Sequence, residues 1–348
     1  MKLKKNYFED IQLLDGRAQY FWTFVLLLIL ACLPFLIKNY NLTLVNLMAV
    51  NAIVALGLNL LVGNTGQISL GHAGFVAIGA YATVLLMKLG LPFILAIIAG
   101  AFVAALFGAL LGLPSLKLEG PYLAIATLGF GLAVTIVIGR TAAFGGRMGL
   151  SVKKLDLAWT GLKYDHALYY VIIIFTIMMT VFARNLLKSR IGRAFQAIRD
   201  SDIAASAIGV NLAQYKTLSF AISAFYAGIA GGLWAFYLGY INPNLFSFIM
   251  SVTFLATIVV GGLGSVTGSI LGAIVMTYLS IQLEDIIDVP LIGQLLKDFS
   301  STFMTLNGIS NISWVFTGLI LILVVLFEPY GLYGLYMRIK LYWKTWPF

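Results

Sequence analysis

The chain has 348 residues, of which 61% belong to the apolar and aromatic set (Ala, Val, Ile, Leu, Met, Phe, Trp, Tyr, Cys) and only 10% are charged. Soluble domains carry about 25% charge, so a soluble globule and a disordered chain are both excluded: neither keeps this much apolar surface out of water. One cysteine, Cys32, and two histidines, His72 and His166, exclude an internal disulfide framework, a cysteine-cluster metal site and a His-rich zinc or haem site. The net charge of +9 comes from 22 Lys+Arg spread near the ends of apolar runs, not from the concentrated basic face that nucleic acid requires.

A helix needs about 20 residues to cross about 30 Å of hydrocarbon. On that measure the chain predicts ten spans, at 21–37, 43–62, 73–88, 92–113, 121–139, 168–187, 217–240, 249–263, 266–283 and 311–327. The first lacks a small-residue cleavage site and is read as retained. The expected fold is all-α, a polytopic helical bundle forming a single transmembrane domain over 1–348. The short Gly-rich spans 73–88 and 249–263 are open to being broken or re-entrant, which is tolerated only against protein or a wet cavity.

Lysine and arginine placement sets the orientation. With the N-terminus inside, the larger share of the cations, Arg184, Lys188, Arg190, Arg193 and Arg199 among them, falls on the inner side. Arg140, Arg147, Lys153, Lys154 and Lys163 fall outside, in the interval 140–167. Both termini are then cytoplasmic, with Arg338, Lys340 and Lys344 among Tyr342, Trp343 and Trp346 at headgroup depth. The longest polar intervals, 140–167 and 284–310, are too short for a further domain. No G-x-x-x-x-G-K-[ST] phosphate loop occurs, so the chain carries no nucleotide-hydrolysing module of its own.

Three polar segments can carry chemistry. The first, Gly63 to Gly74, includes Asn64, Gln67, Ser69 and His72 between four glycines. A non-helical stretch here frees backbone groups for a polar solute, as broken helices do in transporters; a tight turn between spans is the plainer alternative. The second, Val259 to Gly272, includes Gly261, Gly262, Ser265 and Thr267 and has similar spacing. Span centres hold almost no charge, which argues against an ion-driven carrier. Asn46, Asn51 and Asn59 lie on one span, where they either line a pathway or bond neighbouring helices. The pathway set is therefore Asn59, Asn64, Gln67, Ser69, His72, Gly261, Gly262, Ser265 and Thr267.

The third segment is 188–216. Asp200 reads as an N-cap, Asp202 suits a first helical turn, and Gly209 suits the C′ stop. A helix of about eight residues between them would be roughly 12 Å long. Ile203, Ala204, Ala207 and Ile208 make an apolar stripe that can seat in a partner's groove, or rest on the membrane surface. Arg193 and Arg199 can steer a partner electrostatically.

These residues resemble a known family. Ser189-Arg-Ile-Gly-Arg-Ala194, Ala197-Ile-Arg-Asp200, Ile208-Gly-Val-Asn211, Gly66-Gln-Ile-Ser-Leu-Gly-His-Ala-Gly74, Gly120-Pro-Tyr-Leu-Ala-Ile-Ala-Thr-Leu-Gly129, Val260-Gly-Gly-Leu-Gly-Ser-Val-Thr-Gly268 and Phe327-Glu-Pro-Tyr-Gly-Leu-Tyr-Gly334 are similar to the permease subunits of branched-chain amino acid ABC transporters. The resemblance implies an importer in the bacterial inner membrane and no enzymatic activity on this chain. It implies a second homologous permease, two ATPase subunits that hold ATP and Mg, and a periplasmic or surface amino acid-binding protein. No cofactor would be bound directly. The family's coupling segment falls on Gly192, Arg193, Ala197, Arg199, Asp200, Ala204, Ala205 and Gly209. Family members usually carry Gly-Gly-x-x-Gly-Leu in the long outer loop; here Gly145-Gly-Arg-Met-Gly-Leu150 places a cation, Arg147, inside it. Related permeases carry urea or short amides, and a stand-alone carrier or a membrane enzyme are the other classes the composition allows.

Overall fold

A computed structural model describes residues 17–118, 120–153, 161–286 and 330–345, and between them 318–319, 322–324 and 326–328. In chain order the helices are α1 (Arg17–Leu36), α2 (Asn39–Thr65), α3 (His72–Lys88), α4 (Phe93–Gly112), α5 (Pro121–Arg140), α6 (Tyr164–Lys188), α7 (Arg190–Asp200), α8 (Asp202–Ala207), α9 (Leu212–Leu238), α10 (Phe248–Gly261), α11 (Val266–Ile286) and α12 (Gly331–Thr345). Among the described residues six helical segments are long and apolar enough to cross a bilayer and three more are apolar but shorter; they coincide with the first nine predicted spans. Most of the tenth, 311–327, lies outside the described residues, as does nearly all of 284–310. The chain is an all-α polytopic membrane protein.

The bundle is organised around α2 and α9, in each of which 72% of the most apolar stretch is buried inside the protein. Lipid is as apolar as leucine, so close backbone approach, not apolarity, is what holds such helices together. The small residues of α9 supply that approach. A Cβ added at Gly79 of α3 would lie 2.2 Å from Gly228 Cα, and one added at Gly228 would lie 2.7 Å from Ala101 Cα of α4. The glycine therefore sits where three helices meet. By contrast only 22% of the corresponding stretch of α5 is buried, and Ile125, Ile136 and Val137 face outward from it.

Helix α1 contains Pro34, which has no N–H to give the carbonyl of Leu30. Tyr169 of α6 fills the gap, its hydroxyl donating to Leu30 O at 2.8 Å, and Tyr170 donates to Ala31 O at 2.7 Å. A carbonyl left bare in hydrocarbon has no water to turn to. These two bonds fasten α1 to the bundle.

The helix ends sort into two faces. At one, the loop 66–71, the segment 189–211, the loop 262–265 and α12 come together. At the other, β1 (Leu150–Ser151) pairs antiparallel with β2 (Tyr240–Ile241), Leu150 opposite Ile241.

Tyr169→Phe removes the donor to Leu30 O and is expected to destabilise the protein by about 1–3 kcal/mol, the cost of stranding a buried polar group. A thermal unfolding series in detergent checks it; an unchanged midpoint would mean that another group already serves this carbonyl.

Candidate functional site

Helix α2 stops at Gly66, whose φ of 72° lies in the left-handed region. The chain then runs unwound to His72. Its backbone is held by helices remote in sequence: Leu70 N–H donates to Thr127 Oγ1 of α5 at 2.9 Å, and Ala73 N–H donates to Ser251 Oγ of α10 at 3.0 Å. A Cβ on Gly71 would lie 1.8 Å from Thr127 O, so only glycine lets this loop lie against α5. The side chains of Gln67, Ser69 and His72 are buried, and none of their nitrogen or oxygen atoms bonds a described group. The His72 ring stands edge-on to Phe75 and Phe254, with centroids 6.0 and 6.5 Å away.

The second loop turns through Gly262 and Gly264, at φ 115° and 80°. Here Asn59 is the organiser. Its Nδ2 donates to Ser265 O at 2.9 Å and to Ser269 Oγ at 2.7 Å, and its Oδ1 accepts from Gly264 N–H at 2.8 Å. Asn64 Nδ2 donates back to Asn59 O at 3.2 Å. Ser265 Oγ lies 3.0 Å from Thr267 Oγ1 and accepts from Gly268 N–H at 3.1 Å, opening α11. A Cβ on Gly261 would lie 2.2 Å from Gly268 O, which sets how closely α10 and α11 pack. Asn51, eight residues before Asn59, also reaches α11, donating to Thr277 Oγ1 at 2.9 Å. Asn51 and Asn59 thus spend their amides on helix–helix bonds. Asn59 in particular is buried with both amide atoms engaged, as a residue that joins helices requires.

The segment 189–211 is more structured than its sequence pattern predicted. Residues 190–200 form the helix α7, capped by Ser189, whose Oγ accepts from Ile191 N–H at 3.1 Å. Ala194, Phe195 and Ile198 are its buried face. A Cβ on Gly192 would lie 2.3 Å from Leu187 O, so that glycine permits the bend out of α6. Asp200 is the last residue of α7 and does not cap the next helix. The cap is Ser201, held at φ −168° and ψ 120°, with Oγ accepting from Ala204 N–H at 3.3 Å. Two good caps stand side by side, and the extended residue is the one that breaks the helix. The short helix is therefore Asp202–Ala207, six residues and not eight. Gly209 does take positive φ, 88°, past its end.

Helix α8 is clamped to the bundle. Asp202 forms an ion pair with Lys216 of α9, and Ala205 is buried. Ala204 and Ala207 are exposed, and Ile203 and Ile208 are 83% and 76% exposed. Just before it, Arg199 in the last turn of α7 meets both glycine loops. A Cβ on Gly66 would lie 3.7 Å from Arg199 Cα, and one on Gly264 would lie 2.9 Å from Arg199 Nη1. Arg193, by contrast, turns back to Lys188 O at 3.3 Å, and Ala197 is half-buried within α7.

Against the first loop opens a cleft of about 590 Å³ between α3, α5 and α10. Leu70, Ala73 and Gly74 line one end of it, and Arg140 and Arg147 the other. Of the residues the sequence pattern nominates for a pathway, none lines this cleft; their neighbours do. The clue in sequence was the pair of cations flanking a glycine turn.

The family described as branched-chain amino acid transport system, permease component, matches residues 40–325. This chain belongs to that family. It is 33% identical to the high-affinity branched-chain amino acid transport system permease protein LivM of Escherichia coli K12, over 92% of this chain and 76% of the relative. It is also 24% identical to LivH of Salmonella typhimurium LT2, over 69% of this chain and 86% of the relative, and 25% identical to BraD of Pseudomonas aeruginosa, over 81% and 91%. Both are named high-affinity branched-chain amino acid transport system permease proteins. These relatives are named as transport permeases rather than enzymes. No solved structure matches the chain.

Asn59→Leu strands Gly264 N–H and removes one donor each from Ser265 O and Ser269 Oγ, which keep their bond to one another. It is expected to cost at least about 1–3 kcal/mol of stability. Asn59→Gln, which keeps an amide but lengthens the side chain, is expected to recover only part; a Leu variant as heat-stable as wild type in detergent would deny Asn59 its organising place.

Proposed function

We propose that the chain is the permease subunit of an ATP-driven importer of branched-chain or other apolar amino acids, and forms half of the translocation pathway. Its partners are a second, homologous permease, two ATPase subunits that hold ATP and Mg, and an external amino acid-binding protein. Matches to relatives named both LivM and LivH support a pair of permeases. The face bearing α7, α8 and the glycine loops is the cytoplasmic one. It gathers Arg184, Lys188, Arg190, Arg193 and Arg199 with Arg338 and Lys340 of α12, as the positive-inside rule requires of a bacterial inner-membrane protein. On this orientation both termini are cytoplasmic.

One observation carries the reading: α8 and the residue after it present Ile203 and Ile208 outward, while Ser201, Asp202 and Ala205 hold the helix to the bundle. Two isoleucines held out from a capped, ion-paired helix make a docking knob for an apolar groove on an ATPase subunit. Arg199, one residue from the α8 cap, touches Gly66 and Gly264. A push on α8 reaches both glycine loops through that side chain, and the loops move the ends of α2, α3, α10 and α11. Coupling of this kind needs no chemistry on the permease itself. Gly192, Ala205 and Gly209 allow the close turns of the coupling segment, and Asp200 stands exposed at its bend.

Uptake by the assembled system in proteoliposomes tests the function, with leucine expected to be carried and urea and ribose not. Carriage of urea alone would select the short-amide reading. Uptake of leucine by this permease with no ATPase present would select a stand-alone carrier.

Two substitutions test the coupling. Ile203→Asp with Ile208→Asp is expected to leave membrane insertion intact and to lose copurification with tagged ATPase subunits, since each buried isoleucine anchor is worth about 1.5–3 kcal/mol. Retained copurification would leave α8 resting on the lipid surface instead. Arg199→Glu is expected to lower leucine uptake by about tenfold or more while ATP hydrolysis continues, about 1.4 kcal/mol per tenfold; parallel loss of both activities would place Arg199 in assembly, not in coupling.

A further inference from the structure

The cleft beside the first loop has a polarity of its own. Along α5 it runs from Leu128 to Arg140, about 18 Å at the helical rise per residue. Its middle sets Leu132, Ile136 and Phe246, the first two exposed on the open side of the cleft, among Thr135, Ser247 and Ser251. Its outer end carries two guanidinium groups, Arg140 and Arg147, and no carboxylate lines it among the described residues.

The loop that presents Arg147 is built, not loose. Gly145, Gly146 and Gly149 all take positive φ, at 76°, 57° and 77°. A Cβ on Gly146 would lie 3.6 Å from Gly139 O, which brings the turn up to the last turn of α5 and so to Arg140. A Cβ on Gly149 would lie 2.1 Å from Ile241 O. The Tyr240 hydroxyl donates to Met148 O, and the β1–β2 pairing fixes Leu150 against Ile241. Arg147 is thus anchored by its neighbours on both sides, at the same end of the cleft as Arg140.

We infer that Arg140 and Arg147 form a carboxylate-reading site in the permease, through which the transported amino acid passes with its apolar side chain toward Leu132, Ile136 and Phe246. The inference rests on the importer reading above and adds to it where the solute is recognised within this chain. Guanidinium groups pair with carboxylates through two parallel hydrogen bonds, a geometry that neutral amides and urea cannot answer with charge. Two cations with no acid beside them disfavour basic amino acids. Both arginines are exposed and hydrated, so they hold a carboxylate weakly, as a site on a pathway must if the solute is to leave. The same chemistry has a second source, an acidic side chain of a docked binding protein, and the test separates the two.

The complete transporter, with its partner permease, ATPase subunits and binding protein, is reconstituted with Arg140→Gln and Arg147→Gln together. Leucine uptake is expected to fall about tenfold or more, with binding-protein affinity and its stimulation of ATP hydrolysis within about twofold of wild type. Arg140→Lys with Arg147→Lys is expected to restore part of the uptake, because the charge remains but the fork does not. Unchanged uptake in the Gln variant overturns the inference. So does a loss of uptake matched by an equal loss of binding-protein affinity, which would assign the arginines to docking. A wild-type system that carries urea but not leucine overturns the amino acid reading itself, before any variant is made. Should the double variant fail to assemble, Arg147→Gln alone, on an exposed loop, decides by the same ratio of uptake to docking.

Discussion

In hydrocarbon, a backbone that leaves the helix must find its partners inside the protein. Three irregular features among the described residues obey that constraint. Pro34 robs Leu30 O of its partner, and Tyr169 replaces it. The first loop hands Leu70 N–H to Thr127 and Ala73 N–H to Ser251. The second hands Gly264 N–H to Asn59. Each repair comes from a different helix, so each break also fixes where two helices sit. The breaks are joints of the architecture and not interruptions of it.

This explains which parts of the molecule were legible beforehand. The spans were, because about 20 apolar residues in a row have few alternatives to crossing a bilayer. Glycine-rich breaks showed themselves by composition. Their knitting did not: Asn59 and Ser265 are 206 residues apart, and no local pattern pairs them. Helix α7 carries its period in Ile191, Ala194, Phe195 and Ile198, but the stronger cap signal in the sequence lies after it, at Asp200 and Ser201. That signal was ambiguous at one position. Asp200 and Ser201 are both good caps, and the choice between them fell to the backbone at Ser201. The cleft was invisible because its walls come from three helices and its cations from a loop and a helix end.

The geometry also bears on how a push at the surface reaches the interior. Helix α8 by itself is too short to be stable. It persists because Ser201 caps it, Asp202 pairs with Lys216 and Ala205 is buried. Those same ties make it stiff relative to α9. Arg199 then stands between a stiff helix and two loops that contain the glycines where the chain turns. A larger residue at Gly264 would meet the Arg199 guanidinium at 2.9 Å. On the coupling proposed above, small residues at the joint and a long one at the lever let a displacement pass without a clash.

The two loops differ in how tightly they are held. Asn59 engages three groups of the second loop region at once, and Ser265 engages two more. To unmake that network would strand several buried polar atoms, each at about 1–3 kcal/mol. In the first loop Gln67, Ser69 and His72 are buried with their side-chain atoms bonded to no described group. For them the same figure counts in the opposite direction, since any arrangement that brings them water or a polar solute recovers part of it. The second loop is therefore the more fully bonded of the two. It is the first loop that adjoins the cleft, at Leu70, Ala73 and Gly74. On the coupling proposed above, a displacement carried by Arg199 acts on a loop that adjoins the cleft.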